Sequence, residues 1–160
     1  MGKSTTARLL ARQSERAVHL EADRFFTFIE SGFVEPWKAE SHAQNETVMR
    51  IVGDAAAAYA GAGYFTIVEG IVIPRWFLGP LNDALRGTGH TVAYAVLRAP
   101  LDLCLARRDQ IDAEVVESIW SQFHDLGELE PHAIDVAEAT PDAVVRELTD
   151  GLRSRFHLSS

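Results

Sequence analysis

The residues best suited to chemistry stand at the start of the chain. Gly2, Lys3, Ser4 and Thr5 reproduce the tail of the phosphate-binding pattern G-x-x-x-x-G-K-[ST]. A mixed apolar and polar segment, Thr6 to Arg12, follows at once and is expected to form an amphipathic helix. A helix start leaves backbone N–H groups without partners and carries the positive end of the dipole, so it attracts an anion. Lys3 can reach the outer phosphates of a nucleotide, and the Ser4 hydroxyl suits a hard cation such as Mg²⁺. The same four residues also describe a plain helix terminus with no ligand.

Such a loop needs a scaffold, and the remaining sequence supplies the outline of one. Short apolar runs at Ala17 to Leu20, Tyr64 to Val68, Thr91 to Leu97 and His132 to Val136 alternate with helical patterns, the signature of parallel βαβ units. Val48, Ile51, Val52, Ala55 and Tyr59 recur at helical spacing up to the turn at Gly61 to Gly63. Thr140, Pro141 and Asp142 cap and open a last helix whose stripe is Val144, Val145, Leu148 and Leu152. Asp112 to Leu129 reads as another helix, ending near Gly127. Open α/β sheets bind ligands at the carboxyl ends of their strands. Asp23, Glu69 and Arg98 stand at three such ends.

Composition narrows the function classes. The chain has 160 residues, and its 15 Lys and Arg against 23 Asp and Glu give a net charge of −8, which disfavours a nucleic-acid partner. The one cysteine, Cys104, excludes an internal disulfide and any cysteine-pair metal site, and its place beside Leu101 and Leu105 marks a structural thiol. No apolar run reaches the roughly 18 residues of a membrane span. Lys3 and Ser4 lead into no continuous hydrophobic stretch, so no secretory signal is read there. The expectation is a single cytoplasmic domain without a membrane partner.

Taken in order, Gly2-Lys3-Ser4-Thr5, His19-Leu20-Glu21-Ala22-Asp23, Ala60 to Tyr64 running into Ile67-Val68-Glu69-Gly70, Val96 to Pro100, Arg107-Arg108, Ile134-Asp135-Val136 and Thr140-Pro141 resemble the P-loop kinase-like NTPases. The likeness is to the group that includes chloramphenicol phosphotransferase, gluconate-kinase-like and shikimate-kinase-like proteins, and it covers nearly the whole chain. It implies a three-layer α/β domain with a parallel sheet ordered 2-3-1-4-5. It also implies the Walker A loop, ATP and Mg²⁺, and a small lid-like segment around residues 107–130. In that family a central strand and the first half of the glycine loop precede the Gly-Lys-Ser-Thr residues, whereas here only Met1 does. The expectation is therefore a chain starting at an internal methionine of a longer protein. Without that strand its two neighbours would stand about 10 Å apart with unpaired edges, and phosphate binding would be weakened.

The resemblance implies a role for each candidate. Asp23 would accept the proton of an acceptor hydroxyl or orient Mg²⁺, although an aspartate there can also cap Arg24-Phe25-Phe26. Ser4 would join it at the metal. Arg107 and Arg108 would clamp the transferring phosphoryl group, or simply complement a helix C-terminus. Glu69, Arg98, Trp37 and His42 would line the acceptor pocket, and backbone groups around Thr140 and Pro141 would contact adenine. Strand-end charges, a core tryptophan and a surface histidine are the plainer alternatives. The implied reaction moves the γ-phosphoryl group of ATP to a hydroxyl of a small molecule. The rival is a noncatalytic nucleotide-binding or interaction module with a decayed phosphate loop.

Overall fold

A computed structural model describes residues 2–107 and 111–158. The protein is α/β with small parallel sheets. The chain divides into two compact units, one spanning Gly2–Val92 and the other beginning at Ala93.

In the first unit, α1 (Lys3–Ala11) leads to β1 (Ala17–Glu21), α2 (Ala22–Phe26), a 3-10 turn (Ala39–Ser41) and α3 (His42–Gly61). β2 (Phe65–Glu69), a π-helical turn (Pro74–Leu78) and α4 (Gly79–Leu85) complete it. β1 and β2 pair in parallel from Ala17 opposite Phe65 to Glu21 opposite Glu69. A parallel pair requires a crossover, and α3 provides it. Its C-terminal turn reverses at Gly63, whose φ of 82° explains the glycine. Val48, Met49, Val52 and Ala56 of α3 are buried, together with Ala7 and Leu10 of α1, Phe26 of α2 and Leu81 of α4. Gly53 permits the α3–α4 approach, since a Cβ there would lie 2.7 Å from that of Ala84.

The long connection between α2 and α3 is fastened by side chains rather than by secondary structure. Gln44 accepts from the Val34 amide at 3.0 Å and donates to its carbonyl at 2.7 Å. Asn45 donates to the Pro36 carbonyl at 2.7 Å and to the Ser41 hydroxyl at 2.9 Å. These bonds satisfy backbone groups that no ladder or helix reaches.

In the second unit, β3 (Val96–Arg98), α5 (Leu101–Ala106), α6 (Ala113–His124), a 3-10 turn (Gly127–His132), β4 (Ala133–Asp135) and α7 (Pro141–Gly151) follow in order. β3 and β4 are parallel, with Val96 opposite Ala133 and Arg98 opposite Asp135. The apolar run from Thr91 forms less strand than expected because its first part turns to the C-terminal tail. Ala93 bridges His157 in antiparallel sense, and the Tyr94 amide donates to the Phe156 carbonyl at 2.8 Å. Phe156 is fully buried against Gly151, leaving no room for a Cβ. Thr140 caps α7 as expected, accepting from the Ala143 amide at 3.3 Å. The expected helix from Asp112 stops at His124, and the chain turns at Gly127 with φ of 56°.

Among the described residues no ladder joins the two strand pairs. The 2-3-1-4-5 order is not drawn by two separate pairs.

Candidate functional site

The site is built where α1 begins and where β1 and β2 end. Gly2 precedes α1 in extended conformation, with φ −84° and ψ 140°, and no side chain caps the helix. Among the described residues a Cβ on Gly2 would meet nothing within 4 Å, so packing there does not demand the glycine. Thr6, Ala7 and Leu10 bury the inner face of α1, and Arg8 donates to Glu21 at 2.8 Å. These contacts fix the helix to the strand pair. Lys3 and Ser4 are thereby carried to the end of β2.

Glu69 is the hub. The Ser4 hydroxyl donates to its Oε2 at 2.9 Å, and the Lys3 Nζ lies 3.7 Å from its Oε1. Opposite Glu69 in the ladder, Glu21 is held by Arg24 and Arg8, each at 2.8 Å. Those two guanidiniums keep the Glu21 carboxyl below the ordinary carboxylate range, Arg24 contributing most. Asp23 follows in the first turn of α2. Partial desolvation of its carboxyl raises its pKa above the ordinary value, with Lys3 opposing the rise and Glu69 and Glu21 adding to it. The residue keeps an exposed surface, so the carboxyl meets protein on one side and solvent on the other. Gly70 lets the chain pass: a Cβ on it would lie 2.9 Å from that of Ala22 and 3.8 Å from the Asp23 Oδ1. Asp23 is not a cap, because Glu21 occupies the N-cap position of α2.

One participant escapes the sequence reading. His19 lies on β1 with its side chain 10% exposed, and its Nε2 is 3.5 Å from the Glu69 Oε2. That nitrogen is buried and has no hydrogen-bond partner among the described residues. A histidine inside the run Ala17-Val18-His19-Leu20 is the sequence signal that could have disclosed it.

The other expected residues distribute differently. His42 opens α3 on the surface, 3.4 Å from Glu46 and edge-on to Trp76 at 5.6 Å between ring centroids. Trp37 is 47% exposed and forms no part of the core. Thr140 and Pro141 form the capped start of α7. Arg107 is exposed at the end of α5, and Arg108 lies outside the described residues. Arg98, expected at the acceptor, has a set of protein partners in the structure. Its guanidinium donates to Asp135 at 2.9 Å, to Glu130 at 2.8 Å and to the His124 carbonyl at 3.3 Å, tying β3 to β4 and the 3-10 turn. Few of its donors remain for a substrate.

A cavity of about 460 Å³ lies between α2 and α3, lined by Phe25, Phe28, Ile29, Val48 and Ile51 among others. Phe25 is two positions beyond Asp23, about 200° around a helix. None of Lys3, Ser4, His19, Glu21, Asp23 and Glu69 lines the cavity.

The structure is similar to that of the tunicamycin resistance protein of Deinococcus radiodurans, with a TM-score of 0.67 and 18% sequence identity over 99% of this chain and 92% of that one. The α/β architecture with small parallel sheets is compatible with a P-loop-like fold. No protein-family model matches the sequence, and no curated protein does. At that identity the likeness concerns the fold alone. A helix start beside the carboxyl ends of parallel strands is a place suited to an anionic ligand. No described helix is long and apolar enough to cross a membrane.

Proposed function

We propose that the protein is an ATP- and Mg²⁺-dependent phosphotransferase acting on a hydroxyl of a small molecule. The observation that supports this most is the hydrogen bond from Ser4 to Glu69. It joins the phosphate-loop residues to a strand-end carboxylate, beside a lysine and an aspartate of raised pKa.

The donor set fits Mg²⁺. Ser4, Asp23 and Glu69 offer oxygen atoms, and Mg²⁺ is commonly held by one or two carboxylates together with substrate phosphates rather than by a full protein cage. When bound, Mg²⁺ supplies charge neutralisation at the phosphoryl oxygens. The rest is done by the chain. A serine hydroxyl has one proton and two lone pairs; donating the proton to Glu69 turns the lone pairs of Ser4 outward for a cation. Lys3, 45% exposed and only loosely paired with Glu69, is free to swing its ammonium to a phosphate. Asp23 accepts the proton of the attacking hydroxyl, and its raised pKa makes it the stronger base for that task. Phosphoryl transfer demands little else of a protein than position and electrostatics.

The same reading assigns Arg107 and Arg108 to the transferring group, backbone around Thr140 and Pro141 to adenine, and Trp37 and His42 to the acceptor. Arg98 is not carried forward. The experiment is to follow loss of the γ-phosphoryl group from ATP, with a panel of hydroxyl compounds, for the wild type and Asp23→Asn. The proposal expects Mg²⁺-dependent turnover that Asp23→Asn removes while Mg·ATP still binds. Binding without turnover in either protein would favour the noncatalytic nucleotide-binding module instead.

A further inference from the structure

We infer that His19 is a positioning residue for Glu69, supplying the hydrogen bond that holds this carboxylate when Lys3 turns to a phosphate. The inference rests on the phosphotransferase reading and deepens it. His19 pairs with Ile67 in the parallel ladder, and Glu69 is two residues farther along β2. Side chains alternate along a strand, so His19 and Glu69 project from the same face of the pair. That is the face α1 contacts through Ser4 and Arg8.

A carboxylate whose side chain is only 11% exposed is held in place by the donors around it. In the structure Ser4 serves Oε2 at 2.9 Å, and Lys3 attends Oε1 from 3.7 Å. An ammonium engaged by a phosphate is withdrawn from Oε1. The buried donors around the carboxylate are then Ser4 and the His19 Nε2, and the latter is the buried nitrogen without a partner among the described residues, 3.5 Å from Oε2. A shift of a few tenths of an ångström closes that gap to an ordinary hydrogen bond. Buried polar atoms are rarely left without a partner, and one aimed at the hub of a site has a use there. With His19 donating from Nε2, Glu69 stays fixed, and through it the Ser4 hydroxyl keeps its orientation.

The test uses the full chain, with Mg·ATP as the probe. Calorimetry on wild type, His19→Leu and His19→Gln gives affinities, and nitrogen-detected NMR of the wild-type imidazole reports whether Nε2 carries a proton and how it responds to Mg·ATP. Outer-shell partners of this kind typically contribute about 10- to 100-fold. His19→Leu is expected to weaken Mg·ATP binding by about tenfold or more. His19→Gln, whose amide can donate in place of the imidazole, restores most of it. In the wild type, the Nε2 proton becomes protected from exchange when Mg·ATP is added. Wild-type affinity in a folded His19→Leu overturns the inference alone. So does an Nε2 that is unprotonated or unmoved by Mg·ATP, and this reading holds even should the leucine variant fail to fold. No binding by the wild type overturns the phosphotransferase reading and this inference with it.

Discussion

Glu69 and Arg98 occupy equivalent places, each the last residue of a strand in a parallel pair, yet they are treated in opposite ways. Arg98 is heavily engaged: Asp135, Glu130 and the His124 carbonyl accept from its Nε and Nη1, and the two carboxylates favour its charged form. Glu69 has one good hydrogen bond, from Ser4, a lysine at 3.7 Å and an imidazole nitrogen at 3.5 Å that has no hydrogen-bond partner among the described residues. The sequence shows two charges at strand ends and cannot separate them. The partners decide whether such a charge is structure or chemistry.

The largest expected effect falls on the unit that Arg98 ties together. Phe156→Ala removes a fully buried ring packed on Gly151 and should cost about 3–5 kcal/mol in a denaturant titration. Arg98→Met comes next. Its partners Glu130 and Asp135 are half to three-quarters exposed, which lowers the value of each ion pair, and a loss of about 1–2 kcal/mol is expected. Mg·ATP affinity should be unchanged. A tenfold fall in affinity for a folded Arg98→Met would return this residue to the site and erase the difference between the two strand ends.

Asp23→Asn sharpens the contrast by its sign. A carboxylate whose pKa is raised by desolvation and by Glu69 and Glu21 is a burden on the folded state at neutral pH. Because Asp23 is solvent-exposed and its charge is screened, removing that charge should leave stability unchanged or slightly raised. Thermal melts against a wild-type control would show this, and a clear destabilisation would mark Asp23 as structural.

The smallest effect is the pH dependence. Asp135 has its pKa lowered below the ordinary 3.8 by Arg98, so its contribution to stability is present above that value and is lost as pH falls through the lowered folded value. Asp23 works oppositely: its folded pKa is raised, so acidification through that value relieves its cost. Melts across the acid range should therefore show Arg98→Met flattening the loss at the lowest pH, and Asp23→Asn removing a gain that begins at higher pH.

Much of the fold was legible because it depends on local pattern. The runs at Ala17 and Tyr64 become β1 and β2 within a residue or so, and Thr140 with Pro141 marks the start of α7. The run from Thr91 misled, since Ala93 and Tyr94 pair with a tail more than 60 residues away, a choice no local window contains. In the site, Lys3, Ser4, Asp23 and Glu69 could be named from type and position. Which of them touch depends on the β1–β2 register and on where α1 docks. His19 was passed over because one polar residue in an apolar run reads as a tolerated exception until its neighbour across the ladder is known.

The most direct test of the site at Glu69 is calorimetric titration of the full chain with Mg·ATP, in parallel with Lys3→Ala. The account predicts saturable binding that needs both nucleotide and Mg²⁺ and falls by about tenfold or more in Lys3→Ala, as loss of a charge-assisted phosphate contact implies. Equal affinity in the two folded proteins, or no binding by the wild type, would contradict it.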